Sequence, residues 1–186
     1  MDKRKEVLIN ALKEKEEGIR KLAADALEKL ETRDRLDMLA RKIESGEMLE
    51  KVRAVYAVAD LKGQRVTDLL VKAAKDPSED VRAAALRVLG GKGESALPAL
   101  VEALKDQSQI VVRVAVDALS NYRDPRVLGP LMQVLKSPDS GVVERALEVI
   151  SRLGDKRAEE AMIYFAVRGN SRMKGLAIKA LGEMER

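Results

Sequence analysis

The chain has no cysteine, no histidine and no tryptophan, and aromatic residues make up only 2% of it, as three Tyr and one Phe. Each absence removes a class of chemistry. Without cysteine there is no disulfide and no thiolate nucleophile. Without histidine there is no imidazole acid–base group and no Ser-His or Cys-His pair, and with both missing there is no Cys or His metal ligand. Carboxylates, Lys, Tyr, Ser and Thr remain. Long apolar runs are missing too. The longest, residues 161–167, is seven residues, against the ~20 that a membrane helix needs. The charged start Met1-Asp2-Lys3-Arg4-Lys5-Glu6 leads into no apolar stretch, so a secretory signal is not expected. A cysteine-free composition fits a reducing compartment, and the expected location is cytoplasmic.

An excess of one charge is also lacking. Lys plus Arg number 35 and Asp plus Glu 31, a net charge of +4, with no block of five or six like charges. That is a mixed surface, not the footprint of a polyanion binder.

What the chain does have is a recurring unit. Counting Val81 as position zero, apolar residues fall at offsets 0, 3, 4, 7 and 8 as Val81, Ala84, Ala85, Val88 and Leu89, which is one face of an α-helix. The pattern returns from Ile19, Val52, Val111, Val142 and Met173. The zero positions 19, 52, 81, 111, 142 and 173 are separated by 33, 29, 30, 31 and 31 residues. A second helical stretch precedes each copy, most clearly at 67–75, 96–105 and 127–136. Asp76-Pro77, Asp106-Gln107 and Ser137-Pro138 break the chain at matching places, since proline cannot continue a helix and Asp or Ser caps the next one. Lys62-Gly63, Gly90-Gly91-Lys92-Gly93, Arg123-Asp124-Pro125 and Gly154-Asp155 separate the units as short turns.

A helix pair of ~30 residues cannot bury its own apolar face, whereas stacked pairs can. The expected fold is therefore all-α, an α-α superhelix (α-solenoid) of about six stacked helical hairpins. The whole chain, 1–186, is read as one domain with units at 3–31, 33–61, 65–90, 94–122, 126–153 and 156–184. In each unit the first helix (A) is Leu-rich and the second (B) Ala-rich, so the B layer should be the narrower and line a concave side.

Asp76-Pro77-Ser78-Glu79-Asp80-Val81-Arg82 with Ala84, Ala85 and Leu89, and Asp124-Pro125-Arg126 leading into Leu131, Leu135 and Ser137-Pro138, resemble the HEAT-repeat family, in its short bacterial and archaeal form related to phycobilin-lyase repeats. The resemblance runs from about residue 5 to 184. It implies a hydrogen-bonded ladder between repeats, built from the Asp of the turn inside each unit and the Arg one place after position zero. Here that ladder would comprise Arg20, Arg53, Arg82 and Asp76, with Lys174 as a weaker version. Val112 and Val143 occupy the Arg place in the fourth and fifth copies, where Arg113 would have to serve through a one-residue shift.

No catalytic constellation is legible, so the chain is read as a non-enzyme with no metal and no cofactor. Glu144 and Glu148 are four apart and share a helix face, which reads as a solvated acidic stripe and not as an acid–base or metal pair. Gly90-Gly91-Lys92-Gly93 follows a helix and lacks the spacing of a phosphate loop. On helix B, offsets 2 and 6 lie opposite the apolar face. They present Arg87, Arg113, Asp117, Glu144, Glu148 and Lys179, basic giving way to acidic, as a partner-binding groove. Such mixed charge suits a protein or peptide. The expected function is thus a non-catalytic protein–protein interaction scaffold. The alternatives are a lyase-like or chaperone-like factor that cradles a prosthetic group or client and, disfavoured by the charge balance, a nucleic-acid binder. The apolar cluster Met162 to Val167 adds a further expectation, self-association through the C-terminal unit.

Overall fold

Between Gly18 and Gly46 the chain has neither glycine nor proline, and one helix runs through the whole stretch. The computed structural model describes residues 2–184. Among them are eleven α-helices and no strand, and the chain divides into two compact units, 1–58 and 59–186.

The first unit holds α1 (Lys3–Ala11), α2 (Glu17–Ser45) and α3 (Met48–Ala57). Asp2 caps α1 by accepting from the Arg4 N–H at 3.0 Å, and Lys5 ties α1 to α2 through Asp34 at 2.7 Å. The 29-residue α2 corrects one expectation. The turn expected between units 3–31 and 33–61 is absent, because Glu31-Thr32-Arg33-Asp34 contains no residue that stops a helix. The helix ends at Gly46, where a Cβ would lie 2.5 Å from the Lys42 carbonyl oxygen. Ala23, Leu36, Leu39, Ile43, Ala54, Val55 and Val58 are buried in this unit.

The second unit is a succession of hairpins. Its A helices are α4 (Gln64–Ala73), α6 (Leu97–Ala103), α8 (Leu128–Val134) and α10 (Glu159–Arg168). Its B helices are α5 (Glu79–Leu89), α7 (Gln109–Leu119), α9 (Ser140–Leu153) and α11 (Ser171–Glu183). Each A helix packs on its own B helix, and the B helices stack directly, α5 on α7, α7 on α9 and α9 on α11. The offset-four alanines Ala85, Ala115, Ala146 and Ala177 are all fully buried. Gly90 continues the close approach, because a Cβ there would stand 3.0 Å from the Ala118 Cβ. Among the A helices hollows open instead, about 320 Å³ between α4 and α6 and about 600 Å³ between α6 and α8.

The turns leading into the A helices share a device. Gly63, Gly93 and Gly154 have φ of 109°, 75° and 64°, a region that side chains with a Cβ rarely adopt. At the fourth such place Asp124 stays extended and caps the following 3₁₀ turn, accepting from the Arg126 N–H at 2.8 Å.

The continuity of α2 can be tested at its exposed midpoint. Thr32→Pro should cost about 3 kcal/mol or more, seen as a lower thermal midpoint and a loss of far-ultraviolet ellipticity. A variant that melts with the parent would mean that a turn lies there.

Candidate functional site

Two rows of polar contacts tie the hairpins of the second unit together. The first lies at the turns inside the hairpins. Asp76 and Asp106 each fold their turn by accepting the N–H two residues on, from Ser78 at 2.9 Å and Ser108 at 2.8 Å. Ser137 does the same for Asp139 at 3.2 Å. Arg82, largely buried, donates to both oxygens of Asp106 in the next hairpin, at 2.8 and 2.9 Å. Its remaining nitrogen donates to the carbonyls of Asp76 and Pro77 at 3.0 and 2.9 Å. Burial works to raise the Asp106 pKa, but the Arg82 guanidinium and the Ser108 N–H outweigh it and hold the carboxyl below its ordinary value.

Where Val112 replaces the arginine, the rung changes chemistry. The Ser137 hydroxyl donates to the Gln109 side chain at 3.0 Å, and Asp139 caps α9 by accepting from Gly141 and Val142. Arg113 makes no one-residue shift into this row. Its guanidinium lies over Gly141, 2.3 Å from where a Cβ would stand. In the first unit Arg20 makes the local half of the motif, donating to the Glu14 and Lys15 carbonyls at 2.9 and 2.7 Å. Arg53 on α3 and Lys174 on α11 are exposed.

The second row, which sequence reasoning did not anticipate, lies at the turns between hairpins. Lys92 Nζ donates to the carbonyls of Ala59 and Leu61 at 2.7 and 2.8 Å. One hairpin on, the Tyr122 hydroxyl donates to Gly93 O at 3.0 Å and the Asn121 amide to Gly90 O at 3.2 Å. Burial pushes the Tyr122 phenol up. One hairpin further, Arg157 reaches Pro125 O at 3.4 Å. The same arginine, hydrogen-bonded to Asp155, brings that carboxyl down to about 2.

A third feature is a charged hollow of about 260 Å³ on the B helices, lined by Arg113 and Asp117 of α7, Gly141, Glu144, Arg145 and Glu148 of α9, and Arg172 of α11. Arg145 is the hub. It donates to Asp117 on the preceding B helix and to Glu148 one turn along its own. Arg172 donates to Glu148 at 2.9 Å and lies 3.4 Å from Glu144. Asn170, which caps α11 by accepting from the Met173 N–H, donates its amide to Glu144 at 2.9 Å. Hydrogen bonds from Arg145 and then Arg172 hold the Glu148 carboxyl below its ordinary value, and Glu148 in turn raises Arg145.

Of the six residues expected to form the groove, four meet here: Arg113, Asp117, Glu144 and Glu148. Arg87 is exposed on α5, and Lys179 pairs along α11 with Glu183 at 3.8 Å. Neither lines the hollow. Glu144 and Glu148 are therefore not a bare acidic stripe, because arginines from two helices bracket them. The sequence did carry a signal for the missed hub. Arg145 stands at offset three, where the other copies have Leu22, Val55, Ala84, Val114 and Leu176. An arginine breaking an apolar column marks a carboxylate partner on a neighbouring helix. Among the described residues no three His, Cys, Asp or Glu side chains gather as a metal site would require, and no helix is long and apolar enough to cross a membrane.

Residues 67–151 match the family model of HEAT repeats. Over this stretch the chain is similar to HEAT repeats. Solved structures extend the likeness of fold over nearly the whole chain. A designed armadillo repeat protein in complex with the peptide (KR)4 aligns with a TM-score of 0.62 at 19% identity, over 96% of this chain and 98% of that one. Designed armadillo repeat proteins for modular peptide recognition align at 0.61 and 18%, over 96% and 98%. The Escherichia coli protein YIBA aligns at 0.59 and 23%, over 98% of this chain and 70% of that one. No curated protein matches by sequence. The all-α helical-repeat solenoid expected from the 29-to-33-residue spacing is thus the fold. Within the matched stretch, Arg82 and Asp106 form an arginine–aspartate rung between neighbouring hairpins.

That rung should carry measurable stability. Arg82→Ala leaves the Asp106 carboxylate uncompensated in a mostly buried place and should cost about 3–5 kcal/mol in urea unfolding. The pH dependence has a definite sign. A carboxyl held below its ordinary value stabilises the fold above its unfolded pKa of about 3.9, and that stability is lost as pH falls through the lower folded value. The gap between parent and Asp106→Asn should therefore be full at neutral pH and narrow in acid. A gap that does not change with pH would show that the carboxylate charge contributes nothing.

Proposed function

We propose that the chain is a non-catalytic scaffold that holds a protein or peptide partner against the exposed B-helix face formed by α7, α9 and α11. The observation that carries this reading is the charged hollow. Side chains from three successive hairpins converge on it, with carboxylates and guanidiniums side by side. A partner bearing both charges can exchange ion pairs with Asp117, Glu144, Glu148, Arg113 and Arg172 without leaving any of them unmatched, and that selects register. The armadillo relatives designed for peptide recognition support the kind of partner. The reading keeps the cytoplasmic location that the cysteine-free composition suggests.

A second reading has one observation behind it. The hollow between α6 and α8 is apolar at Val101, Leu104, Val112, Pro130 and Val134, and its volume of about 600 Å³ lies in the range of small-ligand sites. A prosthetic group or apolar client cradled there would give the purified protein a visible absorbance or a co-eluting organic ligand.

The scaffold reading is tested with immobilised octapeptides graded from fully acidic through mixed to fully basic. Mixed-charge peptides should bind best. Glu148→Lys and Arg113→Glu should each weaken the best binder at least tenfold, about 1.4 kcal/mol, with circular dichroism unchanged. Gly141→Ala, which displaces the Arg113 guanidinium while keeping its charge, should have a smaller effect. Binding that ignores all three substitutions would place the partner elsewhere.

A further inference from the structure

Two hollows of the second unit occupy equivalent places one hairpin apart, so the residues around them can be compared position by position. The first lies between α4 and α6 and holds about 320 Å³, and the second lies between α6 and α8 and holds about 600 Å³. At the first, Arg82 reaches across to Asp106, which lines the hollow. One hairpin on, Val112 and Ser137 stand in those two places. The ion pair is gone, and both residues line the larger hollow.

The charges around the two hollows differ in one direction. Glu79, Glu102 and Asp106 of the earlier hairpins give way to Gln109, Gln133 and Ser137. The lysines stay. Lys75 and Lys105 line the first hollow, and Lys105 and Lys136 line the second. A lysine at the end of an A helix suits the helix dipole in any hairpin. The larger hollow, however, has lost carboxylates while keeping its cations. The one carboxylate in its lining is Asp106, whose oxygens already accept from Arg82 and from the Ser108 N–H. Among the described residues neither Lys105 nor Lys136 forms an ion pair.

Below these lysines the hollow has buried apolar residues in its wall, Leu104, Val112 and Val134. A mostly apolar wall with a few placed charges is the make-up of a small-molecule site, and the unmatched charge sets the sign of the molecule. A neutral apolar molecule would leave both ammonium groups without a counter-charge, and a cation would be repelled by them. A carboxylate meets both while its apolar body covers the wall.

We propose that the hollow between α6 and α8 binds a small amphipathic anion, an apolar body ending in a carboxylate, with the body against Val112 and its apolar neighbours and the carboxylate at Lys105 and Lys136. The proposal rests on the reading of this hollow as a ligand cradle and names the chemistry of what it holds. It is independent of the peptide-binding reading, because the charged hollow on the B helices lies on other residues.

The test is calorimetric titration of the full chain with three molecules that share one alkyl chain: decanoate, decanol and decyltrimethylammonium. Decanoate should bind about tenfold more tightly than decanol at low salt, the combined effect of two exposed ion pairs. That advantage should fade as salt is raised, and the cation should bind worst. Replacing both lysines, Lys105→Met with Lys136→Met, should bring decanoate down to the level of decanol. Both positions are exposed, so helicity should not change. Val112→Arg with Ser137→Asp, which copies the ion pair of the preceding hairpin, should abolish binding of both. No binding of decanoate to the parent overturns the proposal and the cradle reading together. Equal binding of decanoate and decanol, untouched by the lysine replacements, overturns the anion alone and leaves the cradle reading standing. Decanoate binding that survives Val112→Arg with Ser137→Asp lies elsewhere on the chain and also overturns the proposal.

Discussion

The second unit depends on how closely its B helices approach. Where α5 meets α7 the two helices come so near that a Cβ on Gly90 would stand 3.0 Å from the Ala118 Cβ. Helix separation follows the size of the side chains at the contact, so small residues there allow a short repeat distance along one layer. The Leu-bearing A helices cannot match it, and hollows open between them. A larger residue at Gly90 or Ala118 would alter the spacing of the hairpins beyond it.

Close stacking also places side chains in columns that the chain uses in different ways. The turn column carries Asp76, Asp106 and Ser137, which fold their own turns, and Asp106 and Ser137 also meet the preceding hairpin through Arg82 and Gln109. The offset-three column is apolar except at Arg145, and that one change draws Asp117, Glu148 and, through Glu148, Arg172 into a single network. These are parts of one cause. A regular rise makes residues about thirty apart neighbours, so a single substitution in a column meets partners on both sides.

The fold was legible because stacking imposes a period, and the period survives sequence divergence within the chain. The A–B alternation, the turn at Asp76-Pro77 and the Asn170 cap all follow from local residue preferences. Helix α2 was misread for the converse reason. Residues 31–35, Glu-Thr-Arg-Asp-Arg, interrupt the apolar pattern as a turn would, but the turn chemistry that separates hairpins elsewhere is missing, and a helix without a stop signal goes on. The charged hollow was half legible. Outward offsets identified Arg113, Asp117, Glu144 and Glu148, whereas Arg145 was passed over because its offset belongs to the apolar face. Arg87 and Lys179 share the outward offset but lie at the wrong level of the stack. The row of Lys92, Tyr122 and Arg157 left no readable trace, since its three donors have nothing in common beyond reach and a hydrogen to give.

That row uses main-chain carbonyls as acceptors, at Ala59, Leu61, Gly93 and Pro125. Every peptide unit offers such an oxygen whatever its side chain. A hairpin held this way makes no demand on the identity of the residues beneath it, so whole hairpins can be duplicated, deleted or exchanged without a matching change next door. The arginine–aspartate rung has no such tolerance, because both members must be inherited together. The two rows thus divide the work between permanence and interchangeability, and an array of this kind can change its length in whole-hairpin steps while keeping its coupling intact.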